Sequence, residues 1–339
     1  MGAALHLDRG QVLAHRRRAG GLDVRLPAGP DAVARAAWAG LADSVPRAAL
    51  LSVHARVAAT TSSAWHDPPL VQLWGPRFSV HAVAEHDRAV FSLARLPTAG
   101  ARRRLAEDLA ERLDALLDGR EMPYGDAGRA LGVHHNQLRY AATTGRVLVR
   151  WDGARQPLVR TVPRPDVDPV DARHELARRY LHVLGPATAD GFGRWAGLVA
   201  RTAAATFEAL RPELTPVRTD VGEAWLLSRD EPDARSAPGP TAPARLLPSG
   251  DAFWLLWGRD RELVVPDAGR RSELWTPRVW PGAVLVDGDV VGTWRRADET
   301  VTVSPWHPLP DDARAAVEAE AGSMPLPGLR RPVDVRWTT

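Results

Sequence analysis

The sequence predicts an α+β fold, mostly α, with three tandem winged helix-turn-helix units and a β-rich C-terminal part. Helix, tight turn, helix and hairpin follow one another between residues 123 and 163. The same order of elements recurs on both sides of that stretch, as in a tandem array. Short strand patterns dominate after residue 245. The predicted divisions are units at 1–97, 98–165 and 166–230 and a β-rich region at 245–339.

The first unit is predicted from amphipathic helices followed by a hairpin. Asp8 and Ser44 are the expected N-caps, because a short polar side chain there accepts a hydrogen bond from the first helical turn. The expected elements are helices over Asp8–Ala19, Pro30–Leu41 and Arg47–Ala58 and strands over Phe78–Val83 and Ala89–Leu93.

The second unit carries the clearest pattern. Gly132 and Gly145 are expected to end its second and third helices, and Asp152-Gly153 is a strong hairpin signal. The expected elements are helices over Ala99–Leu117, Tyr124–Leu131 and His134–Thr144 and strands over Arg146–Arg150 and Leu158–Val162.

A winged helix-turn-helix usually places its second helix in the major groove of DNA and its wing on phosphate. Asn and Gln side chains can form two hydrogen bonds with adenine, and arginine can form two with guanine. The residues of this unit expected to contact DNA are therefore His135, Asn136, Gln137, Arg139, Arg150 and Arg155. The alternative is that this unit packs internally as a scaffold or dimerisation module and that the first unit makes the contacts.

The remaining chain is predicted to hold a third unit, a linker and a β-rich region. Residues 230–248 are rich in Pro, Ala and Gly, which indicates a loop or linker. Tryptophans of the last region are expected mainly in the core, with one or two available for base stacking. The expected helices are Asp171–Leu184, Ala189–Leu198, Arg201–Leu210 and Pro310–Ala321, and the expected strands are Thr215–Val221, Glu223–Leu227, Ala252–Trp257, Glu262–Val265, Ala283–Val286, Val290–Arg295 and Thr300–Ser304, with a turn at Asp287-Gly288.

Composition is typical of a globular protein and permits binding of nucleic acid. The 339 residues are 45% hydrophobic, and no apolar run is long enough to span a bilayer. The net charge is only +3. All 44 basic residues are arginine and none is lysine, a composition that a GC-rich genome explains. A local arginine face can still bind phosphate. The absence of cysteine excludes disulfides, thiolate metal sites and cysteine nucleophiles.

Motifs for other chemistries are missing from the sequence. His81 and His134-His135 have no carboxylate at a metal-binding spacing. Neither a phosphate-binding Gly-rich loop followed by lysine nor a Gly-x-Ser-x-Gly elbow occurs. We therefore expect no cofactor and no metal ion.

Several stretches, taken in order, resemble the winged-helix family of interstrand-crosslink DNA glycosylases that includes AlkZ and YcaQ. They are Leu-Leu-Ser-Val-His-Ala-Arg at 50–56, Trp-Gly-Pro-Arg-Phe-Ser-Val-His-Ala-Val at 74–83, Leu-Ala-Arg-Arg-Tyr-Leu at 176–181 with Leu-Gly-Pro-Ala-Thr at 184–188, and the segments 246–261, 286–288 and 291–296. The resemblance implies tandem winged helices around a concave, basic channel that binds duplex DNA, alkylated or not. It also implies that Arg77 and His81 contact DNA.

The resemblance places His54 and Arg56 where the related enzymes have a Gln-apolar-Gln or Gln-apolar-Asp motif. Those enzymes remove alkylated purines that already carry positive charge, and they mainly position water and stabilise an oxocarbenium-like sugar. His54 is the catalytic candidate, because a neutral imidazole can accept a proton from water. Arg56 has the same sign as the cationic base. It is therefore expected to bind phosphate or to pair with Asp43 or Glu85.

Binding of duplex DNA is accordingly the leading function predicted from the sequence. The alternatives are an active, metal-free glycosylase that excises bulky N-alkylpurines, a transcriptional regulator, which would normally be dimeric, and a protein scaffold. We expect a cytoplasmic, nucleoid-associated monomer with no membrane partner.

Overall fold

A computed structural model describes residues 5–45, 48–65, 70–151, 155–326 and 332–338. It shows a mixed α/β protein with more residues in helices than in strands. Among the described helices, none is both long and apolar enough to cross a membrane.

The first region has helices on either side of a small hairpin. Its elements are β1 (Leu5–His6), α1 (Arg9–Ala19), α2 (Pro30–Ala36), β2 (Leu41–Ala42), α3 (Ala48–Arg56), β3 (Leu70–Trp74), β4 (Val80–Ala84) and α4 (Arg88–Leu93). Asp8 caps α1 as predicted, since its carboxylate accepts from the Gln11 backbone and the Gln11 side chain accepts from the Asp8 backbone. At the start of α3, Asp43 Oδ1 accepts the Ala49 N–H at 3.1 Å. The predicted cap Ser44 would act on residues 46 and 47, which lie outside the described residues.

Two predictions for this region are wrong. The helix expected over Pro30–Leu41 ends at Ala36; residues 37–39 form a turn, and Leu41 begins β2. The strand expected over Ala89–Leu93 is part of α4, which packs against the long helix of the third region and buries Phe91 and Leu93. A run of five mostly apolar residues does not distinguish a strand from a buried helix by periodicity.

The second region follows the predicted order of elements. They are α5 (Ala101–Leu117), β5 (Met122–Pro123), α6 (Tyr124–Ala130), α7 (Leu138–Ala141), β6 (Val147–Arg150) and β7 (Leu158–Thr161). The helix predicted over His134–Thr144 is one short α-helix flanked by 3₁₀ turns at His135–Gln137 and Ala142–Thr144. Gly145 ends it with a φ of +76°, as predicted. The predicted turn at Asp152-Gly153 lies outside the described residues.

A six-stranded sheet connects the first and second regions. Its strand order is β2-β4-β3-β6-β7-β5. The hairpins β3–β4 and β6–β7 are each antiparallel, and Gln72 of β3 lies opposite Val149 of β6 at the junction. The hairpin β6–β7 of the second region is therefore fixed to the first region by main-chain pairing.

The third region contains the three predicted helices and the predicted hairpin, followed by a short additional helix. Its elements are α8 (Pro169–Leu184), α9 (Ala189–Ala196), α10 (Ala200–Ala209), β8 (Leu214–Thr219), β9 (Gly222–Leu227) and α11 (Glu231–Arg235). Strand β1 pairs in parallel with β8, Leu5 opposite Val217, and completes a three-stranded sheet. Leu5 and His6 are therefore held in the third region.

The last region is built on a five-stranded sheet in the order β10-β11-β12-β13-β14. Its elements are β10 (Ala244–Leu247), α12 (Asp260–Val264), α13 (Ala268–Leu274), β11 (Gly282–Val286), β12 (Asp289–Ala297), β13 (Thr300–Pro305), α14 (Asp311–Gly322) and β14 (Asp334–Trp337). The tight turn at Asp287-Gly288 is confirmed, with φ of +50° and +85°. The closing helix is confirmed as well, starting and ending within one residue of the prediction.

The other predictions for this part of the chain are partly wrong. Residues 252–254 form a turn and 255–257 have no regular secondary structure, so the predicted strand is absent from these described residues, and most of 262–265 lies in α12. The segment 230–248, predicted as a linker, contains α11 and the buried strand β10. One hydrophobic cluster joins the first, third and last regions, and it includes Phe91, Tyr180 and Trp254. These regions therefore share a core, which gives the residues between them a fixed relative position.

Candidate nucleic-acid interface

Two adjoining cavities form one groove, to which all four regions contribute residues. The tryptophan cavity, of about 390 Å³, has Trp195, Trp257 and Trp280 in its wall. The wing cavity, of about 520 Å³, is lined by residues that include Tyr124 and Trp151. Ser44, Arg77 and Ser79 line both cavities. We call the two together the groove.

The turn before β4 places Arg77 between the two cavities. Arg77 and Phe78 have φ of +57° and +58°, a region that non-glycine residues rarely adopt. Contacts hold the turn in this strained state: the Arg77 guanidinium lies 4.8 Å from the centre of the Trp257 ring and Nη1 donates to the Arg194 carbonyl at 3.1 Å. Arg95 stacks on the Phe78 ring at 3.9 Å. Such strain is found mainly at functional sites.

His81 is the buried titratable group of the tryptophan cavity. Its Nδ1 lies 3.1 Å from the Ser79 carbonyl, so we assign the proton to Nδ1 and the acceptor role to Nε2. Burial, with a smaller contribution from Arg95, lowers the pKa of His81 to about 4. The ring packs on Gly75, where a Cβ would come within 3.0 Å of it. His81 is therefore a neutral, fixed hydrogen-bonding group at ordinary pH.

A buried polar network lies behind the groove and connects its two halves. Gln72 Nε2 donates to Asp43 Oδ2 at 2.7 Å and to the Trp151 carbonyl at 3.0 Å, and Gln72 Oε1 accepts from the Trp151 N–H at 2.6 Å. Trp151 lines the wing cavity, and Asp43 precedes Ser44. Sequence reasoning missed Gln72, because its partners lie far away in the chain.

Arg56 does not line the groove. Its guanidinium forms two hydrogen bonds with Asp251, of 2.7 and 2.8 Å, and Ser52 Oγ donates to the same carboxylate at 2.6 Å. Both charged side chains are buried, at 3% and 0% exposure. Burial alone would raise the pKa of Asp251, but the Arg56 charge and the hydrogen bonds lower it. The predicted pairing of Arg56 with Asp43 or Glu85 is therefore wrong, since Arg56 pairs with Asp251.

His54 also lies away from the groove. Its Nε2 is 3.1 Å from Ser323 Oγ and 3.4 Å from Arg25 Nη2, and Arg25 in turn binds Glu320 with two contacts of 2.7 Å. Burial, followed by the nearby Arg25, lowers the pKa of His54 to about 4. All nine residues of α3 are buried, and neither His54 nor Arg56 lines either cavity of the groove.

The structure brings together four of the residues predicted to contact DNA. Arg77 and His81 lie in the tryptophan cavity, and Arg77 is joined by Arg139 and Arg155 in the wing cavity. The other four lie outside both cavities. His135 packs edge-on against Tyr124 at 4.8 Å, Arg150 pairs with Glu121 at 2.6 Å, and Asn136 and Gln137 are exposed.

The groove also contains residues that the sequence did not single out. Trp257, Arg278 and Trp280 line the tryptophan cavity. The tryptophan content of the last region was the available signal, but nothing in the local pattern separates a cavity wall from a core. No recognisable sequence motif includes Arg278.

The two buried histidines predict a pH dependence of stability. The pKa of each is about 4 in the folded chain and near 6.5 when unfolded, so the unfolded chain takes up protons first as pH falls. The free energy of unfolding should therefore fall between pH 6.5 and 4, by up to about 3 kcal/mol per histidine. Urea unfolding at pH 7, 6 and 5 measures it. His54→Gln should flatten the profile; an unchanged slope would contradict the assignment.

Comparisons with known proteins agree with the resemblance seen in the sequence. The family model "DNA glycosylase AlkZ-like" matches residues 35–325. An interstrand DNA cross-link repair glycosylase of Streptomyces sahachiroi is 31% identical over 162 residues, and this match covers 47% of the chain and 41% of the relative. The chain thus matches less than half the length of that relative.

The solved structure of the Streptomyces sahachiroi DNA glycosylase AlkZ has a similar fold. The TM-score is 0.76 at 22% sequence identity, covering 98% of this chain and 100% of that one. The family model spans most of the sequence, including both cavities of the groove. The chain belongs to the AlkZ-like DNA glycosylase family.

Proposed function

We propose that the chain binds duplex DNA in the groove, with Arg77, Arg139 and Arg155 on the phosphate backbone. The observation that carries this proposal is the convergence of these three arginines, from separate elements, on two adjoining cavities. Arginine donors suit phosphate oxygens and orient a protein on a duplex. The channel predicted from the sequence would then be this groove.

One of the three arginines has an unused donor. Arg139 Nε is buried and has no hydrogen-bond partner among the described residues. A buried donor without an acceptor costs free energy. A phosphate oxygen in the wing cavity would satisfy it, which supports a role for Arg139 in the bound state.

The three helix-and-hairpin regions are, on this proposal, winged helices at 1–97, 98–165 and 166–230, followed by the β-rich region at 245–339. In support, each contains three or more helices and an antiparallel hairpin. DNA contact would use the wings and the turn at Arg77 more than the segment with Asn136 and Gln137. The protein would act as a cytoplasmic monomer on the nucleoid.

Salt-dependent binding tests the proposal. Anisotropy of a labelled duplex across a salt series should show affinity falling steeply with salt, because phosphate contacts release counterions. Replacing Arg77, Arg139 and Arg155 together by alanine should reduce the log–log slope by about 2–3, close to one per contact.

Arg178→Ala is the matched control, since Arg178 pairs with Glu213 and lines neither cavity. Affinity of the wild-type protein that does not change with salt would contradict the proposal. Strong preference for one DNA sequence would favour the alternative of a transcriptional regulator.

A second candidate function is release of an N-alkylated purine, favoured by His81 in the tryptophan cavity. In that reaction water attacks the sugar C1′, the N-glycosidic bond breaks, and its electron pair neutralises the cationic base. The attacking water then loses a proton to the solvent. The low pKa of His81 makes its Nε2 a hydrogen-bond acceptor that orients water rather than a strong base. The base already carries positive charge, so no metal ion is needed for its departure.

A further inference from the structure

We propose that Val279 is an apolar wedge that enters the base stack of DNA bound in the groove, with Arg278 beside it on phosphate. This inference rests on the proposed binding of DNA and adds a positioning residue to it. Val279 lines the tryptophan cavity, yet 60% of its surface is exposed. A single exposed valine is common on protein surfaces, so its setting decides the argument.

The first part of that setting is a rigid backbone. The loop reads Thr-Pro-Arg-Val-Trp-Pro at 276–281, and each proline fixes a φ angle. The Val279 carbonyl accepts from Thr276 Oγ1 at 3.0 Å and from Arg295 Nη2 at 3.0 Å. Such a loop holds its apolar tip outward without losing conformational freedom when DNA binds.

The second part is an anchor on the inner side of the loop. Trp280 Nε1 donates to the Thr276 carbonyl at 2.8 Å, and the Trp280 ring packs against Trp254 at 5.4 Å. Trp254 is fully buried. Trp280, the neighbour of Val279, is thereby anchored to the core. The loop therefore keeps Val279 in place when it contacts DNA.

The third part is charge. Arg278 is exposed, lines the same cavity and makes no ion pair within the described part of the chain. Arg77 lines this cavity too. Proteins that kink DNA place an apolar side chain between two base pairs and use neighbouring basic residues on the backbone. Val279, Arg278 and Arg77 provide these parts around one cavity.

A wedge at Val279 would present a base of the duplex to the tryptophan cavity. Partial unstacking opens one base step and bends the duplex. The base at that step would then face the wall formed by Trp257 and Trp280, where aromatic surface replaces the lost stacking. Val279 would in this way determine which nucleotide is presented to the cavity.

The experiment uses duplexes with a 2-aminopurine at successive positions, because its emission rises when it is unstacked. Wild-type protein at saturation should raise emission about twofold or more at one or two neighbouring positions. Val279→Ala should abolish most of that rise while the Kd from anisotropy changes less than about threefold, since phosphate contacts supply most of the affinity. Val279→Leu should preserve the rise, because leucine keeps an apolar wedge.

Val24→Ala is the matched control, since Val24 is 75% exposed and lines neither cavity of the groove. It should leave the emission unchanged. Bound duplex with no rise at any position, or an equal rise with Val279→Ala, would overturn the wedge and leave DNA binding standing. Failure of the wild-type protein to bind duplex would overturn both proposals.

Discussion

Arg56→Ala is expected to lower the free energy of unfolding by about 3–5 kcal/mol, because Asp251 would keep a fully buried charge without its partner. That loss is a large part of the total stability of a typical domain. Asp251 also follows Ser249 and Gly250, which line the tryptophan cavity. Urea unfolding of the wild-type and variant proteins, followed by circular dichroism, measures the change.

A double replacement separates the ion pair from packing. Arg56→Met with Asp251→Leu removes both charges and keeps apolar volume, so it should be much less destabilising than Arg56→Ala. Arg178→Ala, which breaks an exposed pair with Glu213, should cost no more than about 1 kcal/mol. If Arg56→Ala lowered the free energy of unfolding by no more than this, the large stabilising role given to the buried pair of Arg56 and Asp251 would be wrong.

Release of 7-methylguanine from alkylated duplex is expected to be weak in the wild-type protein and to fall about 10²–10⁴-fold, to the detection limit, in His81→Ala. His81 lies in the tryptophan cavity with Nε2 available as an acceptor. His54→Ala should retain most of the release, since His54 lines neither cavity. This expectation replaces the catalytic role predicted for His54 from the sequence.

Binding measurements keep this comparison interpretable. Both variants should bind unmodified duplex with affinity close to wild type, because neither histidine carries a phosphate contact in the proposal. Single-turnover release then reports the chemical step. Release that survives His81→Ala and disappears in His54→Ala would restore the sequence-based assignment and would refute the role given to His81.

Local signals in the sequence predicted local structure well. The capping box at Asp8, the glycine at 145 and the turn at Asp287-Gly288 each depend on residues within a few positions. Predictions failed where contacts with residues far away in the sequence determine whether a segment forms a helix or a strand. Ala89–Leu93 is helical because it packs on α8, and β10 is a strand because β11 pairs with it.

The same distinction explains the site. Arg77 and His81 lie in one turn and strand, so their placement together could be predicted from the sequence alone. Arg56 and Asp251 are far apart in sequence, and only the fold shows that they neutralise each other. A motif match gave the position of His54 along α3 but not the direction of its side chain. That direction is fixed by contacts with Arg25 and with Ser323, which follows α14.

The parallel pairing of β1 with β8 has a consequence for the order of events during synthesis. Leu5 leaves the ribosome well before its partner Val217, which follows only after the first two regions and helices α8, α9 and α10 of the third. Strand β1 therefore waits unpaired while α1 beside it can already form. The three-stranded sheet can close only after Val217 has been synthesised, and this closure ties Leu5 and His6 to the third region.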